Sequence, residues 1–327
     1  MRVIHSLMWV CLLSAVSWGQ TAGRDFAADW FALAEQPATR AAAPQPAAEP
    51  SEGPPLPFHS VEGYGGACIT PMAYLVNPGK KGEIFGLPAV SVTFLWAGHK
   101  NVQSFVVTET LWQRLELGYA ASRFDTGSLP QAVQKATGLE MAYDELVLHN
   151  WNARLLLIEE NSFGIPMPAI VAGVHVKYND AVRAIDKSLG GALSGLGFAR
   201  SNGIDYTLTA SKTVPIGRPF IFTAGLRNSQ AAQIGYLGFA DHAATTFEGS
   251  VVCLVTDCLA VGYEFRQKEN PYDKIDGLVG DEDNWHAINV GYILAPHMTI
   301  CAGYAQLGNL ANSSGNGAWA LQVKFEF

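Results

Sequence analysis

The chain has 327 residues, enough for one large domain or two ordinary ones. Charged residues make up only 15% and hydrophobic residues 49%, yet no interior stretch reaches the roughly 18 consecutive apolar residues that a membrane-spanning helix needs. A helical membrane protein is therefore excluded. The 21 basic against 29 acidic residues, without a basic cluster, also argue against a nucleic-acid partner.

The N-terminus has the pattern of an export signal. Arg2 is a charged start, residues 7–16 form a short apolar stretch, and Ser17-Trp18-Gly19 is a small-x-small cleavage site. We predict a signal peptide at residues 1–19, with a buried N-terminal helix as the alternative. Residues 20–57 are rich in Ala and Pro, which predicts a periplasmic tether.

Residues 58–87 precede the regular part of the chain. They include a Gly-rich stretch from Gly65 to Gly79, in which Pro71 disfavours a central strand. We expect this stretch to lie inside a barrel or to close its periplasmic mouth, and an extra strand is the alternative. The barrel domain is thus predicted to span residues 58–327.

From about residue 88, apolar and polar residues alternate, as in strands with one apolar face. In the last nine residues every odd position from Trp319 to Phe327 is apolar, whereas Gln322, Lys324 and Glu326 are polar. A soluble sandwich alternates similarly, but it would not usually combine so many aromatic faces with an export signal. The pattern predicts twelve strands, an even number as in bacterial barrels: 88–98, 102–109, 113–124, 144–159, 167–178, 203–212, 218–228, 246–256, 258–269, 284–295, 297–307 and 316–327.

The lengths of the connectors support a membrane barrel. With the C-terminus in the periplasm, five short connectors fall on one side: 110–112, 160–166, 213–217, 257 and 296. The other side receives one tight turn at 99–101 and mostly long, polar connectors, which are 125–143, 179–202, 229–245, 270–283 and 308–315. Short periplasmic turns and long outer loops are typical of outer-membrane barrels. The predicted fold is all-β, an antiparallel up-and-down transmembrane β-barrel of about twelve strands in the outer membrane.

Two resemblances agree with this fold. The final strand, apolar at Trp319, Leu321, Val323, Phe325 and Phe327, resembles the terminal signal of outer-membrane proteins, which implies recognition by the barrel-assembly machinery. Several segments resemble an uncharacterised Gram-negative family catalogued as a domain of unknown function: 55–63, 70–79, 148–154, 163–166 and 172–175. The resemblance spans roughly residues 54–327 and implies an envelope barrel without supplying an activity.

Charged residues of both signs occur at the strand positions whose side chains are expected to face the lumen. The candidates for lumen and selectivity residues are Arg114, Glu116, Arg154, His175, Lys177, Asp205, Arg227, Glu264 and Arg266. In one interpretation the arginines form a constriction that favours anions, as cationic rings do in anion pores. In the other, which we rank higher, Glu116 and Glu264 pair with the arginines and stabilise the wall, because isolated charges in a low-dielectric interior are costly.

Cysteines and motifs give weaker predictions. Cys253 and Cys258 are a candidate disulfide across a tight hairpin, although small apolar strand residues are an equal alternative. Neither a metal site nor a cofactor is predicted, since no Cys or His cluster occurs. No hydrolase elbow, zinc-protease or P-loop motif is found. An enzyme is thus not expected, and a hydrolase using His149, His175, Asp205 or His242 is a low-ranked alternative.

Aromatic residues on the apolar parity or near strand ends predict belts at the membrane interfaces: Trp96, Trp112, Trp151, Trp285, Trp319, Tyr119, Tyr178, Tyr236, Tyr263, Tyr292 and Tyr304. The first functional hypothesis is a porin-like channel or uptake protein for small solutes. The second is a closed or plugged barrel with a structural or assembly role, and an outer-membrane enzyme is third. Expected partners are outer-membrane lipid, lipopolysaccharide, the assembly machinery and small solutes, but no nucleic acid.

Overall fold

The structure is a computed structural model that describes residues 58–274, 278–310 and 317–327. The predicted signal peptide and tether, residues 1–57, lie outside the described residues. Within the described ranges, no helix is both long enough and apolar enough to cross a membrane.

Twelve strands form the wall, and each is named here in chain order. They are β1 Ala89–Ala97, β2 Lys100–Leu111, β3 Leu115–Asp125, β4 Glu145–Ile158, β5 Ala169–Asn179, β6 Asn202–Ile216, β7 Arg218–Ala231, β8 Phe239–Leu254, β9 Leu259–Arg266, β10 Trp285–Ala295, β11 Met298–Gln306 and β12 Gly317–Glu326. In the described residues the connectors contain three short α-helices, α1 Leu129–Thr137, α2 Val182–Ser188 and α3 Ala192–Leu196, and two 3-10 turns at Ser162–Gly164 and Ala232–Gly235.

The sheet closes on itself. Each strand pairs antiparallel with the next one, and β12 returns to β1 with Trp319 opposite Trp96 and Glu326 opposite Ala89. Closure satisfies the backbone hydrogen bonds between strands, which is why a bilayer tolerates a barrel but not an open sheet. The predicted antiparallel twelve-stranded barrel is therefore confirmed.

One strand boundary differs clearly from the prediction. β8 begins at Phe239 rather than at residue 246, because β7 and β8 continue to pair beyond the apolar alternation, with Ala244 opposite Ser229. Asp241, His242 and Ala243 are exposed there. Where the outward face of a strand is in water, its residues need not be apolar. Alternation of apolar and polar residues therefore does not predict this extension of the hairpin. The predicted loop 229–245 shrinks to the connector 232–238.

The two faces of the wall have opposite chemistry. On β12 the odd positions Trp319, Leu321, Val323 and Phe325 are 39–65% exposed, whereas the intervening Gln322 and Lys324 are 2% exposed. Most of the predicted belt residues are on the outward face. An apolar exterior around a polar interior is the arrangement of a barrel surrounded by hydrocarbon.

Two predicted belt residues are not on the outside. Trp285 is 5% exposed and points inward, where its ring lies 5.5 Å from the Arg266 guanidinium. Tyr236 is 7% exposed and belongs to the connector 232–238. The belt was predicted from the apolar parity or from proximity to a strand end, and proximity to a strand end does not determine which way a side chain points.

The connectors with helices cover one end of the barrel. Leu129 and Val133 of α1 pack with Ile185 of α2, Leu193 of α3 and Tyr236 in an apolar cluster. The cluster continues to Ile69, Phe124 and Trp285 at the same end of the lumen. Burial of this apolar surface stabilises the long connectors on the barrel end.

Candidate functional site

Residues 58–76, called here the inserted segment, occupy the interior of the barrel. All of them are buried except Val61 and Cys68, which are partly exposed. His59 hydrogen-bonds Ser91 and Thr108 on β1 and β2, each at 2.9 Å, and Ala73 donates to Ser211 on β6. Because partners on widely spaced strands surround it, the segment lies across the lumen and is not a thirteenth strand of the wall.

Glu62 is at the centre of a buried charge cluster. Its carboxylate oxygens lie 2.6 Å from Lys177 Nζ and 2.5 Å from an Arg266 Nη, and Arg227 is 3.7 Å away. Tyr64 donates a hydrogen bond of 2.7 Å to the same carboxylate. One acid from the inserted segment therefore bridges three bases that come from three different strands.

The bases around Glu62 have further partners on the wall. Lys177 and Arg227 share Asp205, at 2.7 and 3.0 Å, and Arg227 also contacts Glu248 at 3.1 Å. Arg266 has Glu248 only at 3.9 Å. Of the three bases, Arg266 thus depends most on Glu62 for its compensation.

A second polar cluster holds the turn of the inserted segment. Glu116 accepts hydrogen bonds from the backbone N–H groups of Gly65 at 2.9 Å and Val76 at 2.8 Å. Arg154 donates to Glu116 at 2.9 Å, to the Gly65 carbonyl at 2.6 Å and to the Met72 carbonyl. One ion pair on the wall therefore satisfies backbone groups that would otherwise be buried without partners.

Glu264 forms a third contact with the segment. It accepts hydrogen bonds from the N–H groups of Cys68, Ile69 and Thr70, at 2.8, 2.9 and 2.7 Å, and from the Thr70 hydroxyl at 2.8 Å. Asn289 donates to it as well. The carboxylate on the wall thus serves as the common acceptor for several N–H groups of one turn of the inserted segment.

Glycine allows the segment to approach the wall closely at one position. Gly63 has a φ of +92°, and a Cβ on Gly118 of β3 would lie 2.1 Å from the Gly63 carbonyl oxygen. Asn152 donates to the carbonyls of Glu62 and Gly63 at 2.8 and 2.9 Å. Any side chain at residue 118 would displace the segment from this contact.

Apolar and cationic groups line the end of the lumen that the helical connectors cover. Lys268, just beyond β9, pairs with Glu282 at 2.9 Å and lies 4.9 Å from the Trp285 ring centroid. Burial lowers the pKa of Lys268, and Glu282 opposes that shift. A polar cavity of about 150 Å³ remains beside Arg227 and Arg266. It is below the roughly 300–1,000 Å³ of ordinary ligand pockets.

Eight of the nine predicted lumen residues are buried in the interior, between 0 and 3% exposed: Glu116, Arg154, His175, Lys177, Asp205, Arg227, Glu264 and Arg266. Arg114 is the exception, since it lies in the turn before β3, half exposed and paired with Glu159 at 2.5 Å. Glu116 pairs with Arg154, as the wall-pairing interpretation expects. Glu264 instead binds the inserted segment.

Sequence reasoning missed Glu62, Tyr64 and Glu248. Glu248 was recoverable, because it has the inward parity of β8 next to Thr246 and Ser250. Glu62 and Tyr64 have no periodic signal, since they belong to an irregular segment.

The remaining candidates are dispersed. His149 contacts Tyr119 on the outer face, His242 is exposed beside Asp241, and His175 is held between Asn152 and Thr207. Cys253 and Cys258 are not bonded to each other in the structure, and their disulfide stays a prediction. In that hairpin Cys253 lies opposite Val261, while Cys258 is in the turn.

A family model described as "Protein of unknown function (DUF3034)" matches residues 57–324. The chain belongs to this family. No curated protein matches the chain.

Solved barrels are similar to this DUF3034 chain at low identity. The KdgM porin is 9% identical with a TM-score of 0.45, over 73% of this chain and 99% of the porin. The NanC porin is 11% identical with a TM-score of 0.45, over 73% and 100%. The COG4313 outer membrane channel from Pseudomonas putida F1 is 12% identical with a TM-score of 0.43, over 77% and 100%. At these values the likeness concerns the general architecture only.

Proposed function

We propose that this protein is an outer-membrane barrel of porin-like architecture whose lumen is held closed by its own inserted segment. Passage of a small solute then requires the segment to move. The observation that carries the proposal is the Glu62 cluster, in which one carboxylate from the segment bridges bases on β5, β7 and β9.

The chemistry of the contacts favours a removable closure over a permanent core. The wall residues of the three polar groups comprise four acids and four bases: Glu116, Asp205, Glu248, Glu264, Arg154, Lys177, Arg227 and Arg266. Without the segment this wall is electrically balanced, and water can hydrate its charges. A purely structural filling would be expected to be apolar throughout, as in ordinary protein cores. Here an apolar cluster of Met72, Ala73 and Leu75 with Val171 and Ile221 accompanies the polar groups.

The closed barrel with a structural or assembly role remains the second candidate. The apolar cluster formed by the outer connectors supports it, because that cluster covers one end of the lumen and Ile69 of the inserted segment packs into it. In this case displacement of the segment would not produce solute flux.

The paired arginines bear on selectivity. On the wall itself, Arg154 and Arg227 each have an acidic neighbour within 3.1 Å, and Arg266 has Glu248 at 3.9 Å, so an opened lumen is proposed to prefer anions only weakly. A hydrolase is the least supported function, because the His candidates that the structure describes do not converge on one site.

The apolar outward positions of β12 are proposed to be recognised by the barrel-assembly machinery. The apolar belt is proposed to contact lipid and lipopolysaccharide.

Solute flux into proteoliposomes tests the proposal. The intact chain, the Glu62→Ala variant and the control Glu159→Ala would be compared by osmotic swelling with small sugars. Glu159 is a matched control because it pairs with Arg114 at the exposed rim. We expect swelling only with Glu62→Ala. Equal silence from all three inserted proteins would favour the structural candidate.

A further inference from the structure

Two cysteines distant in sequence meet inside the barrel. The Sγ atoms of Cys68 and Cys301 are 3.3 Å apart although the residues are separated by 233 positions. Cys68 belongs to the inserted segment, and Cys301 is an inward residue of β11, 2% exposed. Both are free thiols. At this point the inserted segment and the wall bring together two thiols, which can react with each other by oxidation to a disulfide.

The geometry is suited to a bond. A disulfide has an S–S length of about 2.05 Å, so closure from thiol contact needs only a small rotation of the two side chains. The backbone around Cys68 is already fixed, because Glu264 accepts its N–H and those of the next two residues. Cys301 is fixed in the β-ladder opposite Gly291 and Gln322. The fold therefore holds the two thiols in contact.

We propose that Cys68 and Cys301 form a disulfide that ties the inserted segment to the wall. The oxidant is a disulfide-bearing thiol oxidoreductase or a small disulfide of an oxidising compartment. One cysteine thiolate attacks the oxidant disulfide and releases one of its thiols, and the second cysteine then displaces the other. The two cysteines lose two electrons and two protons, and the oxidant is reduced to a dithiol or to two thiols.

The availability of such an oxidant rests on the proposed envelope location, since disulfides persist in the periplasm but not in the cytosol. The consequence goes beyond that proposal. While oxidised, the segment stays attached to β11 even if its polar contacts break, so opening of the lumen becomes dependent on reduction of one bond.

Peptide mapping of the full chain tests the bond. The protein would be isolated from envelopes without reductant, its free thiols alkylated under denaturing conditions, and the digest analysed by mass spectrometry before and after reduction. We expect a peptide linking Cys68 to Cys301, and alkylation of Cys253 and Cys258. The variants Cys68→Ser and Cys301→Ser should each leave the remaining partner alkylated, while Cys253→Ser should leave the link unchanged.

Full alkylation of Cys68 and Cys301 in the unreduced chain, also after treatment with oxidised glutathione, would overturn the proposal. A link between Cys253 and Cys258, with Cys68 and Cys301 both alkylated, would overturn it equally. The outcome is separate from transport. A Cys68–Cys301 link in a protein that never conducts would uphold this inference and refute the gated channel, and flux through a chain with two free thiols would do the reverse.

Discussion

Removal of the Glu62 carboxylate is the perturbation with the largest predicted effect on the inserted segment. In the Glu62→Ala variant Lys177 keeps Asp205 at 2.7 Å, but Arg266 loses its contact of 2.5 Å, and the one acid still paired with it is Glu248 at 3.9 Å. Loss of one partner of a buried ion pair costs about 3–5 kcal/mol. We take the lower end, about 3 kcal/mol, because the cluster contains other acids.

Since about 1.4 kcal/mol corresponds to a factor of ten, the equilibrium for release of the segment should shift by about 100-fold. Native-state hydrogen exchange measures this directly, because exchange through local opening reports the free energy of that opening. The amides of Gly65, Ile69 and Thr70, which donate to Glu116 and Glu264, should exchange about 100-fold faster, whereas strand amides should keep their protection.

Glu159→Ala is the control, since an exposed ion pair contributes about 0–1 kcal/mol and the partner of Glu159 is Arg114 rather than a residue of the inserted segment. An exchange rate at Thr70 that rises less than about threefold in Glu62→Ala would refute the argument that Glu62 holds the segment. Equal acceleration of the strand amides would show that the whole barrel, and not the segment, had been destabilised.

Four further predictions concern other contacts. Glu264→Ala removes the acceptor of four hydrogen bonds from residues 68–70 and should accelerate exchange there by at least tenfold, measured against the unchanged amide of Val76. Gly118→Ala places a Cβ 2.1 Å from the Gly63 carbonyl and should destabilise the inserted segment by about 1–3 kcal/mol in the same exchange assay; Gly195→Ala, which meets nothing within 4 Å, should not. Arg154→Met leaves Glu116 buried without its base and should lower the Tm by several degrees in a thermal melt, and an unchanged Tm would contradict the role given to this pair. Replacing both Phe325 and Phe327 with Ala should reduce the amount of folded barrel, seen as heat-modifiable mobility on gels, whereas Leu139→Ala on an outer connector should leave it unaltered.

The wall of the barrel is predictable because its sequence encodes local physics. Alternation on β12, from Trp319 to Phe325, follows from one face in lipid and one face in the lumen, and that constraint acts on neighbouring residues. It also assigned Glu116, Arg154 and Glu264 to the interior. Where the outer face meets water, as at Asp241 of β8, the constraint disappears and the boundary was misplaced.

The contents of the lumen were only partly predictable. Pro71 and the glycines around it argued against a strand in the wall, but the partners of Glu62 are 115 and 204 positions away in Lys177 and Arg266. Such long-range pairing depends on which wall residues share a height in the closed barrel. The alternation predicts whether a side chain points inward. Its position along the barrel axis depends on the register of every strand with its neighbours, and the pattern within a single strand does not determine that register. The contact of Cys68 with Cys301 escaped prediction for the same reason.

The claim that the inserted segment closes the lumen is tested most directly by single-channel conductance in a planar bilayer. The intact chain would be compared with a variant that lacks residues 58–76, with insertion of each protein into the bilayer confirmed. The account predicts silence from the intact chain and discrete conductance steps from the shortened one. Steps of equal size from both proteins would contradict it.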